Sequence, residues 1–184
     1  IVLHLEAGEY IVDDTIYIPP YATIVGAGSG KTIIRTSTAS TTIFKTVNSD
    51  STPGAPATDA STTSVNQATD IRLEGVTLET TVPNKGLILE NCKDSMFRDV
   101  EVTGPWVSGN AVALTDVGIE MNSLSGTVET KNNIFENCKV SGYSYGISSD
   151  WDIHNNMWDN CSFASCSYGF AFATNLNTLN ALSG

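Results

Sequence analysis

Positive charge is scarce in this chain of 184 residues: 9 Lys and Arg face 20 Asp and Glu, for a formal net charge of −11 at pH 7. A phosphate-neutralising surface needs clustered cations, so nucleic acid drops out as a partner. Long apolar runs are also lacking. None approaches the length of about 18 residues that a membrane-spanning helix needs, and no membrane insertion is expected. The 4 cysteines are too few for a disulfide scaffold. They form no C-x-x-C pair and have no His at ligand spacing, so the sequence implies neither a metal site nor a cofactor. Helical 3.6 periodicity is missing throughout. The chain opens at Ile1-Val2-Leu3 without an initiator Met or a basic leader, which reads as a fragment of something longer.

What the chain has in quantity is Ser, Thr and Asn, with 15 Gly besides, while charged residues make up only 16%. Polarity carried on hydroxyls and amides favours strands and turns over helices. A hydrophobic content of 41% is too high for a disordered chain. The length fits one domain.

An internal repeat organises the second half. Leu73-Glu74-Gly75-Val76-Thr77-Leu78, Phe97-Arg98-Asp99-Val100-Glu101-Val102, Phe135-Glu136-Asn137-Cys138-Lys139-Val140 and Trp158-Asp159-Asn160-Cys161-Ser162-Phe163 share one frame of large apolar, charged, small or amide, small apolar, polar, apolar. The copies start 24, 38 and 23 residues apart. The 38 reads as one coil of about 24 with an insertion near residues 122–131, where apolar alternation fades. A glycine opens a second apolar run after each copy, at Gly86, Gly109, Gly146 and Gly169. Two short strands per period fit a solenoid of stacked parallel strands, in which residues one period apart lie above each other. Asn132 and Asn155, Asn133 and Asn156, and Tyr145 and Tyr168 all stand 23 apart, so amide and aromatic ladders are expected. Cys92, Cys138 and Cys161 each follow an acid-Asn pair and read as buried thiols, with a disulfide as the other possibility. The leucine-rich repeat frame is absent. These patterns predict an all-β chain, a parallel β-helix with coils of about 23–24 residues, with a sandwich or jelly roll as the alternative.

Residues 1–47 alternate as short strands broken by Ala7-Gly8-Glu9, Pro19-Pro20 and the glycines from Gly26 to Gly30. The run Gly26 to Thr32 imitates a phosphate-binding loop, but Val25 stands where the first glycine is required and Ile33-Ile34 is strand-prone, so it reads as a turn. Residues 48–70 have almost no apolar content and read as a low-complexity loop, and residues 71–184 as regular coils.

The runs Leu5-Glu6-Ala7-Gly8-Glu9-Tyr10, Ile16-Tyr17-Ile18-Pro19, Thr23-Ile24-Val25-Gly26-Ala27-Gly28 and Lys31-Thr32-Ile33 resemble the opening coils of the pectate-lyase-like right-handed β-helix superfamily. That superfamily includes bacteriophage tailspikes, tail fibres and polysaccharide-degrading enzymes. The resemblance covers most of the chain; it is specific for fold and weak for activity, because the pattern encodes strands and turns. The R-x-P-x-x-R signature of pectate lyases and the N-T-D, D-D and H-G set of polygalacturonases are both missing. The remaining catalytic candidates are Asp150, Asp152 and His154, which share one face if the segment is extended, with two carboxylates and an imidazole for acid–base work on a glycoside. Trp106, Tyr143 and Trp151 are candidates for stacking on sugars. The resemblance implies a structural or host-recognition module of a viral tail fibre or tailspike, on the virion tail and outside the cell. Its partners would be surface polysaccharide, neighbouring virion proteins or further copies in a homotrimer. A polysaccharide lyase or glycoside hydrolase is the alternative, and a carbohydrate-binding adhesin a third.

Overall fold

The computed structural model describes residues 1–57, 61–124, 127–149 and 153–172, and the backbone of 181–183. The first coil is β1 (Val2–Leu5), β2 (Gly8–Ile11) and β3 (Ile16–Ile18); the second is β4 (Thr23–Gly26), β5 (Thr32–Thr36) and β6 (Phe44–Thr46). The third follows as β7 (Arg72–Glu74), β8 (Thr77–Thr80) and β9 (Lys85–Glu90), and the fourth as β10 (Met96–Arg98), β11 (Glu101–Thr103) and β12 (Val117–Asn122). The fifth adds a short strand to the three: β13 (Thr130–Lys131), β14 (Ile134–Glu136), β15 (Lys139–Ser141) and β16 (Tyr145–Ser149). The sixth does likewise with β17 (Ile153–His154), β18 (Met157–Asp159), β19 (Ser162–Ala164) and β20 (Tyr168–Phe172), and β21 (Ala181–Ser183) begins another. Among the described residues no helix is long and apolar enough to cross a membrane.

Equivalent strands of successive coils pair in parallel. The first sheet runs β1-β4-β7-β10-β14-β18-β21, the second β2-β5-β8-β11-β15-β19 and the third β3-β6-β9-β12-β16-β20, with β13 and β17 as a small fourth. This is the parallel β-helix that the repeat predicts. The register matches the sequence frame residue for residue: Leu73 pairs with Phe97, Phe97 with Phe135 and Phe135 with Trp158. All four side chains are buried. Their rings stack at 4.8 Å between Phe97 and Phe135 and at 5.3 Å between Phe135 and Trp158, offset-stacking distances that add to plain area burial.

The corners between the sheets explain the Asn and Asp of the repeat. Asp70, Asp94, Asn132 and Asn155 precede the first-sheet strands at φ of 52°, 51°, 56° and 51°; Gly75, Asp99, Asn137 and Asn160 follow them at 64°, 51°, 55° and 50°. Only Gly, Asn and Asp adopt this left-handed conformation at low cost. Asn160 sits in such a corner and donates from Nδ2 to Asn137 Oδ1 at 2.7 Å. Inside the same bend runs the amide ladder. Asn133 Oδ1 accepts from Ser95 N at 3.1 Å, Asn133 Nδ2 donates to Asn156 Oδ1 at 2.9 Å, and Asn156 Nδ2 donates to Thr130 O at 3.2 Å. Buried amides are tolerated because each finds partners on the next coil.

The inserted length sits partly elsewhere than expected. Val102 and Ile119 occupy the positions that Leu78 and Leu87 hold one coil earlier, so the larger expansion lies between β11 and β12, in residues 104–116. The shorter one lies between β12 and β13. The turn-forming Gly104-Pro105 and the apolar Val107, Val112 and Leu114 disguise the first as a stretch of ordinary coil. The described part of residues 48–70 lies between β6 and β7 and contributes none of the named strands.

All four cysteines are free thiols. Cys138 and Cys161 occupy equivalent corners, each three residues past the start of its frame, whereas Cys92 lies between β9 and β10. Its shared acid-Asn prefix is thus a different corner of the coil. Cys92 packs beside the ladder, its Sγ donating to Ser95 Oγ at 3.4 Å, and burial pushes its thiol up to about 12. Burial also raises the Tyr143 hydroxyl.

Two outcomes are expected. Phe135→Ala, which opens the middle of the stacked column, lowers stability by about 3–5 kcal/mol in chemical denaturation. Cys92 and Tyr143 stay neutral in the fold while their unfolded counterparts ionise at about pH 9–10. Their contribution is therefore complete below pH 9 and is lost as pH rises toward 12, because the unfolded chain then holds fewer protons. The urea midpoint should drop between pH 9 and about 10.5; an unchanged midpoint would contradict this.

Candidate functional site

The outer face of the third sheet carries a concave surface. Side chains alternate across a strand. Phe44, Leu87, Ile119 and Ile147 line up inward, while Tyr17, Lys45, Ile88, Glu120, Ser148 and Ala171 form the row between them that faces out. The 104–116 excursion leans over this row. Between them lies a hollow of about 460 Å³ bordered by Lys85, Leu114, Glu120, Tyr145, Ser148 and Phe172. It continues past Lys85 into a hollow of about 320 Å³ against Ser40, Thr42 and Asn84, and past Pro83 into one of about 210 Å³ under Trp106. Together they make a trough across several coils.

Its chemistry is hydroxyl, amide and ring. Tyr145 pairs in register with Tyr168, and the two rings stack at 5.3 Å, as their 23-residue spacing predicts. The pair is a surface ladder, since Tyr168 is 53% exposed. Lys85 is ion-paired with Glu120, and Lys45 with Glu90. At the far end the buried Asp116 accepts from both Ser144 N and Ser144 Oγ at 2.8 Å through Oδ2. Its Oδ1 and Trp106 Nε1 are enclosed without a hydrogen-bond partner among the described residues.

The predicted site residues fall in three places. Asp150, Trp151 and Asp152 lie outside the described residues. His154 is on β17 and pairs with Lys131 of the coil below; its Nε2 is 3.4 Å from Glu129 Oε1, and Glu129 Oε2 accepts from Lys131 Nζ at 2.9 Å. The carboxylate facing this imidazole thus comes from a neighbouring coil. The 23-residue offset that relates Asn132 to Asn155 relates Lys131 to His154, so the sequence held the signal. Trp106 is half-buried on the excursion, with its backbone N donating to Gly142 O at 2.7 Å.

Tyr143 is a correction. Expected as an exposed sugar platform, it is fully buried. Its hydroxyl donates to Thr103 O at 3.0 Å and lies 3.0 Å from Thr80 Oγ1. Glycines make the space: a Cβ on Gly104 would fall 2.6 Å from the Tyr143 ring and one on Gly118 would fall 3.2 Å from it. The sequence shows Tyr143 among polar residues, Ser141, Gly142 and Ser144, and gives no sign that glycines of the preceding coils enclose it. Lys85 and Glu120, which shape the trough, carry no sequence motif and come together only through the register of β9 with β12. Among the described residues no three His, Cys, Asp or Glu side chains converge as a metal ion requires.

Residues 2–171 match the family model described as rhamnogalacturonase A/epimerase, pectate lyase-like. The chain belongs to this family. Two solved structures share the fold of this pectate lyase-like chain. The bacteriophage phi29 gene product 12 N-terminal fragment aligns over 97% of the chain and 36% of its own length, with a TM-score of 0.58 and 13% identity. The Geobacillus virus E2 protein ORF18 aligns over 89% of the chain and 34% of its own length, with a TM-score of 0.58 and 17% identity. The chain spans about a third of either protein, and at these identities the likeness is one of fold. No curated protein sequence matches it.

The glycine slot yields a test. A Cβ at Gly118 would lie 2.3 Å from Val140 Cγ1 and 2.7 Å from Gly146 O. Gly118→Ala should therefore destabilise this pectate lyase-like fold by about 1–3 kcal/mol, seen as a lower denaturation midpoint.

Proposed function

We propose that this chain is a β-helical module of a bacteriophage tail fibre or tailspike, working without catalysis and laying its third-sheet trough against glycans of a surface or against neighbouring virion proteins. The observation that carries the reading is the trough itself, a hydroxyl-lined channel beside a stacked tyrosine pair, since flat rings and convergent polar groups are what sugar faces and edges require. The tailspike-like opening coils and the shared fold with two viral proteins support the virion context. On this reading the protein works in the virion tail, outside the cell. Side-by-side association as a homotrimer accompanies it, with Ile11, Tyr17 and Tyr21 as exposed apolar surface on the opening coils.

One observation favours a second reading, a polysaccharide lyase or glycoside hydrolase: the approach of His154 to Glu129 in a coil corner, a pair suited to proton transfer. Incubation with acidic and neutral polysaccharides separates the two. The module reading expects retention of glycan with no new reducing ends and no unsaturated products. Turnover that disappears in His154→Ala would establish the second reading instead. Native mass spectrometry should find three copies per particle, and a monomer at micromolar concentration counts against the trimer.

A further inference from the structure

We infer that the glycan taken by the third-sheet trough is uncharged, a polymer of neutral sugars rather than uronic acids or other anionic units. The inference rests on the glycan-contact reading above and adds the ligand's chemical class.

The argument is an account of the cations. Seven of the nine Lys and Arg are held in ion pairs within the chain: Arg35 with Glu9 and Glu79, Lys45 with Glu90, Arg72 with Glu74, Lys85 with Glu120, Arg98 with Glu136, Lys131 with Glu129 and Lys139 with Glu101. Of the other two, Lys93 donates to Ser64 O at 3.2 Å, and Lys31 sits in the turn before β5, on another side of the coil. The two lysines that reach the trough row, Lys45 and Lys85, are both matched, and their partners Glu90 and Glu120 have side chains only 12% and 8% exposed. Glu120 is held further by Asn122 Nδ2 at 2.8 Å, so Lys85 cannot leave it without stranding a buried carboxylate. An anionic polymer laid here would meet no available positive charge, in a chain whose net charge is −11. Like-charge juxtaposition of this kind works against binding at ordinary salt. What the trough does present is Ser148 and the tyrosine rings, which pair with sugar hydroxyls and apolar sugar faces and need no counter-charge.

Affinity electrophoresis through native gels containing dextran, galactan or polygalacturonate tests this with the intact chain, at low and high salt. The expected result is retardation by a neutral polymer that changes by less than about twofold between the salt conditions, weakened about tenfold by Tyr168→Ala, with no retardation by polygalacturonate. Glu120→Gln, which releases Lys85, should gain salt-sensitive retardation by polygalacturonate. Retardation of the unaltered protein by polygalacturonate, abolished at high salt, overturns the inference and leaves the glycan-contact reading standing. Indifference to all three polymers, in the unaltered protein and in both variants, removes both.

Discussion

Everything in this molecule depends on one constraint: each coil must offer the next a backbone in register. Parallel strands satisfy their N–H and C=O groups only through neighbouring strands, and here those neighbours are the preceding and following coils. Once register is fixed, an inward position is inward in each coil, and so Leu73, Phe97, Phe135 and Trp158 form a single column. The corners obey the same logic. A residue that turns the chain at positive φ must stand above another that does so, and a buried amide such as Asn133 is tolerated because Ser95 and Asn156 stand at its level on either side.

Length between the strands is free by comparison. The coils accommodate the 48–70 loop and the 104–116 excursion without a shift in strand order, because loop closure costs rise only slowly with length. Surface function gathers where that freedom is used. The excursion converts the outer row of the third sheet from a flat ladder into a walled trough, with Leu114 and Trp106 as the wall and Glu120 and Ser148 as the floor.

What was legible in the sequence was what recurs. The six-residue frame foretold sheet, register and the aromatic column, and the 23-residue spacing of Tyr145 with Tyr168 and of Asn133 with Asn156 foretold both ladders. What escaped was anything that depends on two coils of different length. Tyr143 reads as a surface aromatic until Gly104 and Gly118 are brought around it. The Lys85 and Glu120 pair belongs to no motif and exists through register alone. The insertion was detectable as extra residues, but its division between two corners was hidden because Val107, Val112 and Leu114 imitate inward positions while standing exposed. Cys92 misled for a related reason, since an identical acid-Asn-Cys run serves two different corners.

The direction of the interstrand hydrogen bonds has a mechanical consequence. In a solenoid these bonds point along the long axis, and successive coils are joined by three sheets at once. Separating one whole coil from the next means breaking three ladders together, and in the later coils the aromatic stack and the amide rungs as well. A solenoid built this way parts more readily by peeling from an end, where the ladders are lost one after another, than by the separation of whole coils.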